Sequence, residues 1–186
     1  MPLFTTPSIK HPGYLAGRQY IILPFGPSNA APNAADVIYF APFILDKPIT
    51  FTGGRMRVVT GGAASSVKGA VWANSTVSNR PLGAPLFTDN TGIATATSAT
   101  TVALAFGAGT LNPGIYWFGS KFTGTLPTML ATAATIPLLS YLAGTTDMAN
   151  SSMSFADAYA NAMPTLSEGA GFTFAALATP VMAFQT

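Results

Sequence analysis

The stretch VIYFAPFIL, residues 37–45, decides the fold. It is a near-continuous apolar run rich in β-branched and aromatic residues, which suits a strand buried on both faces. Pro42 within it points to an edge position or a bulge, because proline has no N–H to give to a ladder. Working outward, Asp46-Lys47-Pro48 is a short turn and Ile49–Phe51 resumes extended structure. Gly53-Gly54 breaks or bulges the chain. Arg55–Thr60 (RMRVVT) then alternates charged and apolar residues, as a strand with one solvated face does. Upstream, Gln19–Phe25 (QYIILPF) reads as a strand and GPSNAAPNAA as a turn-rich loop. Residues 1–17 carry Pro2, Pro7 and Pro12 and read as an extended arm, with residues 18–186 forming a single domain.

Beyond Gly61-Gly62 the strand pattern continues. Ser66–Ala73 places Val67, Gly69 and Val71 on one face and Lys68, Ala70 and Trp72 on the other. Pro85–Thr88 is a short strand, and Asp89-Asn90-Thr91-Gly92 fits a type I turn. Thr101–Phe106 alternates, Leu111-Asn112-Pro113-Gly114 turns the chain, and Ile115–Phe122 is an aromatic strand. Phe172–Ala178 and Val181–Phe184 close the pattern. One segment differs: Ser154–Met163 (SFADAYANAM) has an N-cap at Ser154, an early Asp157 to complement the helix dipole, and Pro164 as a stop, and it predicts a short helix, with a loop as the alternative. The expected fold is all-β: a jelly-roll-like antiparallel β-sandwich with an extended N-terminal arm and one short helix.

Of 186 residues, 14 are charged, or 8%, against roughly a quarter in an ordinary soluble domain. Yet 49% are hydrophobic, and no segment supplies the ~20 continuous apolar residues that a membrane-spanning helix needs. The uncharged stretch Phe122 to Thr146 is interrupted by Pro127 and Pro137. The first twenty residues lack a charged segment followed by an apolar one, so no signal peptide is expected. The absence of cysteine excludes disulfides and thiolate sites. The basic residues are scattered, with only Arg55 and Arg57 close together, so no nucleic-acid partner is expected. So few charges on so large a surface mean either a bland Ala/Thr/Ser/Gly exterior or burial against other protein; we read the second, a subunit of an assembly, with a homo-oligomer (a trimer among the options) as partner.

Candidate chemistry is sparse. His11, the single histidine, has no partner suggested by its neighbours. Asp36, Asp46, Asp89, Asp147, Asp157 and Glu168 fall at predicted turns or at the helix start, where carboxylates serve turn and cap chemistry. Neither a catalytic residue, a metal site nor a cofactor is expected. Trp72, Tyr116 and Trp117 are candidates for a platform that stacks on sugar rings, although Tyr116 and Trp117 point to opposite faces of one strand. The candidate interface residues are Phe4, Ile9, Met129, Leu138, Leu139, Tyr141, Met148, Met153 and Met163, since protein interfaces enrich aromatic and methionine side chains.

Taken in order, Tyr39-Phe40-Ala41-Pro42-Phe43, Ile49-Thr50-Phe51, Arg55–Thr60, Gly69-Ala70-Val71-Trp72, Arg80-Pro81-Leu82-Gly83 and Leu111-Asn112-Pro113-Gly114-Ile115-Tyr116-Trp117 form a recognisable progression. It resembles structural proteins of tailed bacteriophages, over about residues 18–186. The resemblance implies a non-enzymatic virion subunit with other capsid or tail proteins as partners, and no catalytic residues to carry over. Without a fibre stalk or coiled coil, the chain resembles a compact decoration, spike or baseplate-type piece more than a tail fibre. A glycan-binding module for host-surface attachment is the alternative.

Overall fold

A computed structural model of the chain describes residues 13–21, 27–132 and 152–186. These residues form an all-β structure of antiparallel sheets, without a helix among them. The first sheet contains β1 (Gln19–Ile21), β2 (Pro27–Ala30), β5 (Gly53–Thr60), β8 (Thr100–Leu104), β11 (Thr128–Thr132) and β14 (Ala183–Gln185). Its centre is β5, which pairs with β8 on one side and with β14 and β11 on the other. The second sheet runs in the order β13 (Thr173–Ala175), β12 (Ser152–Ala156), β3 (Val37–Leu45), β10 (Gly114–Thr123), β6 (Ser66–Asn74), β7 (Pro81–Ala94). A separate pair, β4 (Ile49–Phe51) with β9 (Gly109–Leu111), completes the set.

The side-chain period of two explains how the sheets pack. Met56 and Val58 of β5, Val102 and Leu104 of β8, Met129 of β11 and Phe184 of β14 share a buried cluster with Phe43 and Leu45 of β3, Val67 and Val71 of β6, and Phe118 and Phe122 of β10. The arrangement is sandwich-like, with one apolar core between two sheets. The other face of the second sheet is buried too. Ile38, Phe40, Ala70, Trp72, Trp117 and Met153 pack there against Met163 and Leu166, with Phe155, Phe172 and Phe174 at the margin. Residues 157–172 therefore lie as a strap over the outer face, and β3 is buried on both sides as its apolar run predicts.

Several local expectations are corrected. Ser154–Met163 is not a helix: Ser154 and Phe155 pair with Tyr39 and Ile38 in β12, and the chain then turns. Asp89-Asn90-Thr91-Gly92 does not end a strand but interrupts the register of the long β7, which slips between Gly69↔Asp89 and Val67↔Ile93. The turn signal there marks a bulge, with Gly92 at φ 83°, where glycine is the favoured residue. Pro42 sits in a central strand, opposite Trp117, but β12 pairs only with residues 37–40, so one edge of β3 is open at the proline. Gly53-Gly54 does not break the chain; it pairs with Gln185 and Phe184 at the start of β5. Part of the Phe122–Thr146 excursion is β11, paired between β5 and β2.

Candidate functional site: a buried lysine pair under the strap

Registry between β6 and β10 sets Lys68 directly opposite Lys121. Because Val67 and Phe122 point into the inner core, both lysines emerge on the outer face, the face of Trp72 and Trp117. Like charges facing each other across a ladder repel, and burial adds a desolvation cost. Yet Lys121 is 0% and Lys68 8% exposed.

The start of the strap compensates. Lys121 Nζ donates to Asp157 Oδ2 and to the carbonyls of Ala158 and Asn161, each at 3.0 Å. Lys68 Nζ donates to the carbonyls of Tyr159 at 2.7 Å and Asn161 at 3.0 Å, and lies 4.8 Å from the Tyr159 ring centroid. One carbonyl, that of Asn161, thus serves both cations. Asn161 Nδ2 in turn donates to Asp157 Oδ1 at 2.9 Å. The loop is positioned from β3's approach: Asp157 N–H donates to the Asp36 carbonyl at 3.0 Å, and Tyr159 N–H to Asp36 Oδ1 at 2.6 Å. Burial, and then the charge of Lys121, pull Lys68 below the ordinary lysine pKa; Asp157 acts in the opposite direction.

The rest of the strap is fastened residue by residue. Met163 N–H donates to Asn90 Oδ1 at 2.8 Å, Trp72 Nε1 donates to the Pro164 carbonyl at 3.2 Å, and Leu166 exchanges two 2.9 Å backbone bonds with Gly83. Glu168 accepts from the Ser75 and Ser78 hydroxyls, which, with the nearby Arg80 charge, hold its carboxyl below the usual range against a small opposing effect of burial. Arg80 lies over the Phe174 ring at 5.1 Å. Both ammonium groups face protein oxygens, so the arrangement is suited to fastening the strap rather than to meeting a dissolved ligand.

The residues singled out for glycan stacking do not come together on a surface. Trp72 and Trp117 are opposite each other in register and fully buried beneath the strap. Tyr116 points to the inner side, stacked on Phe43 with centroids 5.6 Å apart, and its hydroxyl donates to the Asn112 carbonyl. Met129 lies in the inner core, and Met153 and Met163 lie in the outer one, so these three are packed within the chain rather than presented for a partner. Phe4, Ile9, Leu138, Leu139, Tyr141 and Met148 lie outside the described residues, as do His11 and Asp147. The lysine pair was missed in the sequence. The signal was there: Lys68 alternates onto the face of Ala70 and Trp72, a face too apolar to be solvated.

A second feature is a concavity of about 310 Å³ on the first sheet, lined among others by Gln19, Arg55, Arg57, Thr101 and Leu130. It holds two cations and no carboxylate. Among the described residues, no three His, Asp or Glu side chains gather as metal ligands, and no helix is long and apolar enough to cross a membrane. No protein-family model, curated protein or solved structure matches the chain.

Proposed function

We propose that the chain is a non-enzymatic structural subunit of a tailed-bacteriophage or phage-like virion: a head spike, decoration or tail- or baseplate-associated protein that assembles through contacts between its own copies and with other capsid or tail proteins. The observation that carries this reading is where the few charges go. Lys10 and Asp147 lie outside the described residues; of the remaining charged residues, Lys68, Asp89 and Lys121 are turned into the interior. The exposed positions Ala84, Leu86 and Thr88 on the edge strand β7 carry no charge. A face that sheds charge is one that a protein partner can cover without desolvating ions.

The order of motifs supports the same reading, since it resembles that of phage structural proteins. The alternation of strands between the two sheets, with β3, β10, β6 and β7 side by side in one and β5 paired to β8 in the other, is in keeping with a jelly-roll-like sandwich. Host-glycan binding through Trp72, Tyr116 and Trp117 has no comparable support, because two of the three rings are enclosed. The test is electron microscopy of particles from the producing host, labelled with gold-conjugated antibody against this chain. Label on intact particles is expected. Particles that carry their other structural proteins and no label would overturn the proposal.

A further inference from the structure

The contact between Lys121 and Asp157 has a chemical possibility beyond an ion pair. An amine and a carboxyl, carried by segments far apart in the chain, meet under the strap of an all-β domain: the Lys121 side chain is 0% exposed and that of Asp157 11%. The partners come from β10 and from the residue after β12, strands that do not pair with each other but flank β3 on its two sides. Asp157 is held from both ends. Its N–H bonds the Asp36 carbonyl at 3.0 Å, and its Oδ1 accepts from Asn161 Nδ2 at 2.9 Å, leaving Oδ2 to Lys121.

We propose that Lys121 and Asp157 condense into an intramolecular amide cross-link that locks the strap to β10. In the step, Lys121 Nζ forms a bond to Asp157 Cγ and the Cγ–Oδ2 bond breaks. The ammonium supplies both protons that leave with Oδ2 as one molecule of water, so a cation and an anion become a neutral amide and no oxidant, reductant or other reagent is needed. Oδ1 becomes the amide oxygen, and the Asn161 side-chain amide is placed to stabilise the negative charge that grows on it. Fixed geometry is what makes the reaction accessible: reacting groups held in one orientation behave as though present at up to about 10⁵ M or more. Burial then hinders the return of water. Lys68, directly across the ladder, disfavours a second full cation beside it and so works against the ion-paired state. This inference does not rest on the virion reading.

The experiment is the intact mass of the purified full-length chain under denaturing conditions, followed by tryptic mapping. The cross-linked chain is lighter than its sequence by one water, and trypsin no longer cuts after Lys121 because the side chain is acylated. Because no Lys or Arg follows Lys121 and Arg80 precedes a proline, residues 69–186 then stay together as one tryptic piece in which the amide closes a loop from residue 121 to residue 157. Lys121→Arg and Asp157→Ala each restore the full mass; neither needs to fold for the measurement to count. Full sequence mass with ordinary cleavage after Lys121 overturns the proposal and leaves an ion pair. A water loss with ordinary cleavage after Lys121 also overturns it, since that result reports a cyclic imide elsewhere.

Discussion

Gly119 of β10, opposite Ala70 in the ladder to β6, leaves room for the ring of Trp72, whose own partner in that ladder is Trp117. A Cβ at position 119 would sit 2.5 Å from Trp72 Cζ3, 3.0 Å from Ile38 Cγ2 and 3.1 Å from Phe40 Cε1. Three side chains of the outer core converge on the space that glycine leaves. Gly119→Ala is therefore expected to destabilise the fold by about 1–3 kcal/mol, the usual cost of overpacking. Chemical denaturation monitored by tryptophan fluorescence measures this directly.

Both tryptophans of the chain report on the same face. Trp72 and Trp117 are fully buried, with indole N–H groups bonded to the Pro164 carbonyl and to Asn74 Oδ1. Native emission is expected at short wavelength, weakly quenched by acrylamide, with a red shift on unfolding. Emission typical of solvated indole in the native protein would mean that the strap does not cover the sheet.

The two lysines are not equivalent. Either substitution ends the repulsion between the two lysines, but Lys121→Met also leaves the Asp157 carboxyl without its partner, whereas Lys68→Met leaves the Lys121–Asp157 contact in place and loses bonds to neutral carbonyls only. Breaking a buried pair costs about 3–5 kcal/mol, and Lys121→Met is expected in that range. Lys68→Met is expected to cost clearly less. Equal losses in urea titrations would contradict the asymmetry.

Ser120 gives a prediction of the opposite sign. It lies between Phe118 and Phe122 on the inner side of β10, fully buried, and its hydroxyl has no hydrogen-bond partner. An unsatisfied buried hydroxyl costs free energy that an apolar group does not. Ser120→Ala is expected to stabilise the protein by about 1 kcal/mol, read as a higher denaturation midpoint.

Asp89 links stability to acid. Burial raises the pKa of its carboxyl, but hydrogen bonds from the Thr91 hydroxyl and from the Ala105 and Thr91 N–H groups outweigh burial and leave it below the ordinary value. A carboxyl depressed in the folded state contributes stability that is fully present above its unfolded pKa and is lost as pH falls through the folded one. Asp89→Asn is expected to flatten the acid limb of the stability–pH curve while lowering stability at neutral pH. An unchanged acid limb would contradict it.

Much of the strand pattern was legible because it depends on period alone. Val102 and Leu104 face the core while Thr101 and Ala103 do not, and Val67 and Val71 separate from Lys68, Ala70 and Trp72 as alternation requires. The failures occurred where a local signal met a distant partner. Ser154 and Asp157 look like a helix start, but Ser154 pairs with Tyr39 and Asp157 binds Lys121, contacts more than thirty residues away that outweigh local propensity. Asp89–Gly92 looks like a turn because a bulge and a turn ask for the same residues. The alternation of Lys68 with Ala70 and Trp72 pointed to its burial, but its pairing with Lys121 was not legible because sequence does not reveal which strands become neighbours, and Met129, Met153 and Met163, assigned to an interface, belong to two cores.

On the proposed reading, further copies of the chain cover this charge-poor surface. Light scattering coupled to size-exclusion chromatography of the purified full-length protein, across a range of concentrations, tests it most directly. The account predicts a mass that is a fixed small multiple of the chain mass. A monodisperse monomer that persists at the highest concentration reached would contradict it.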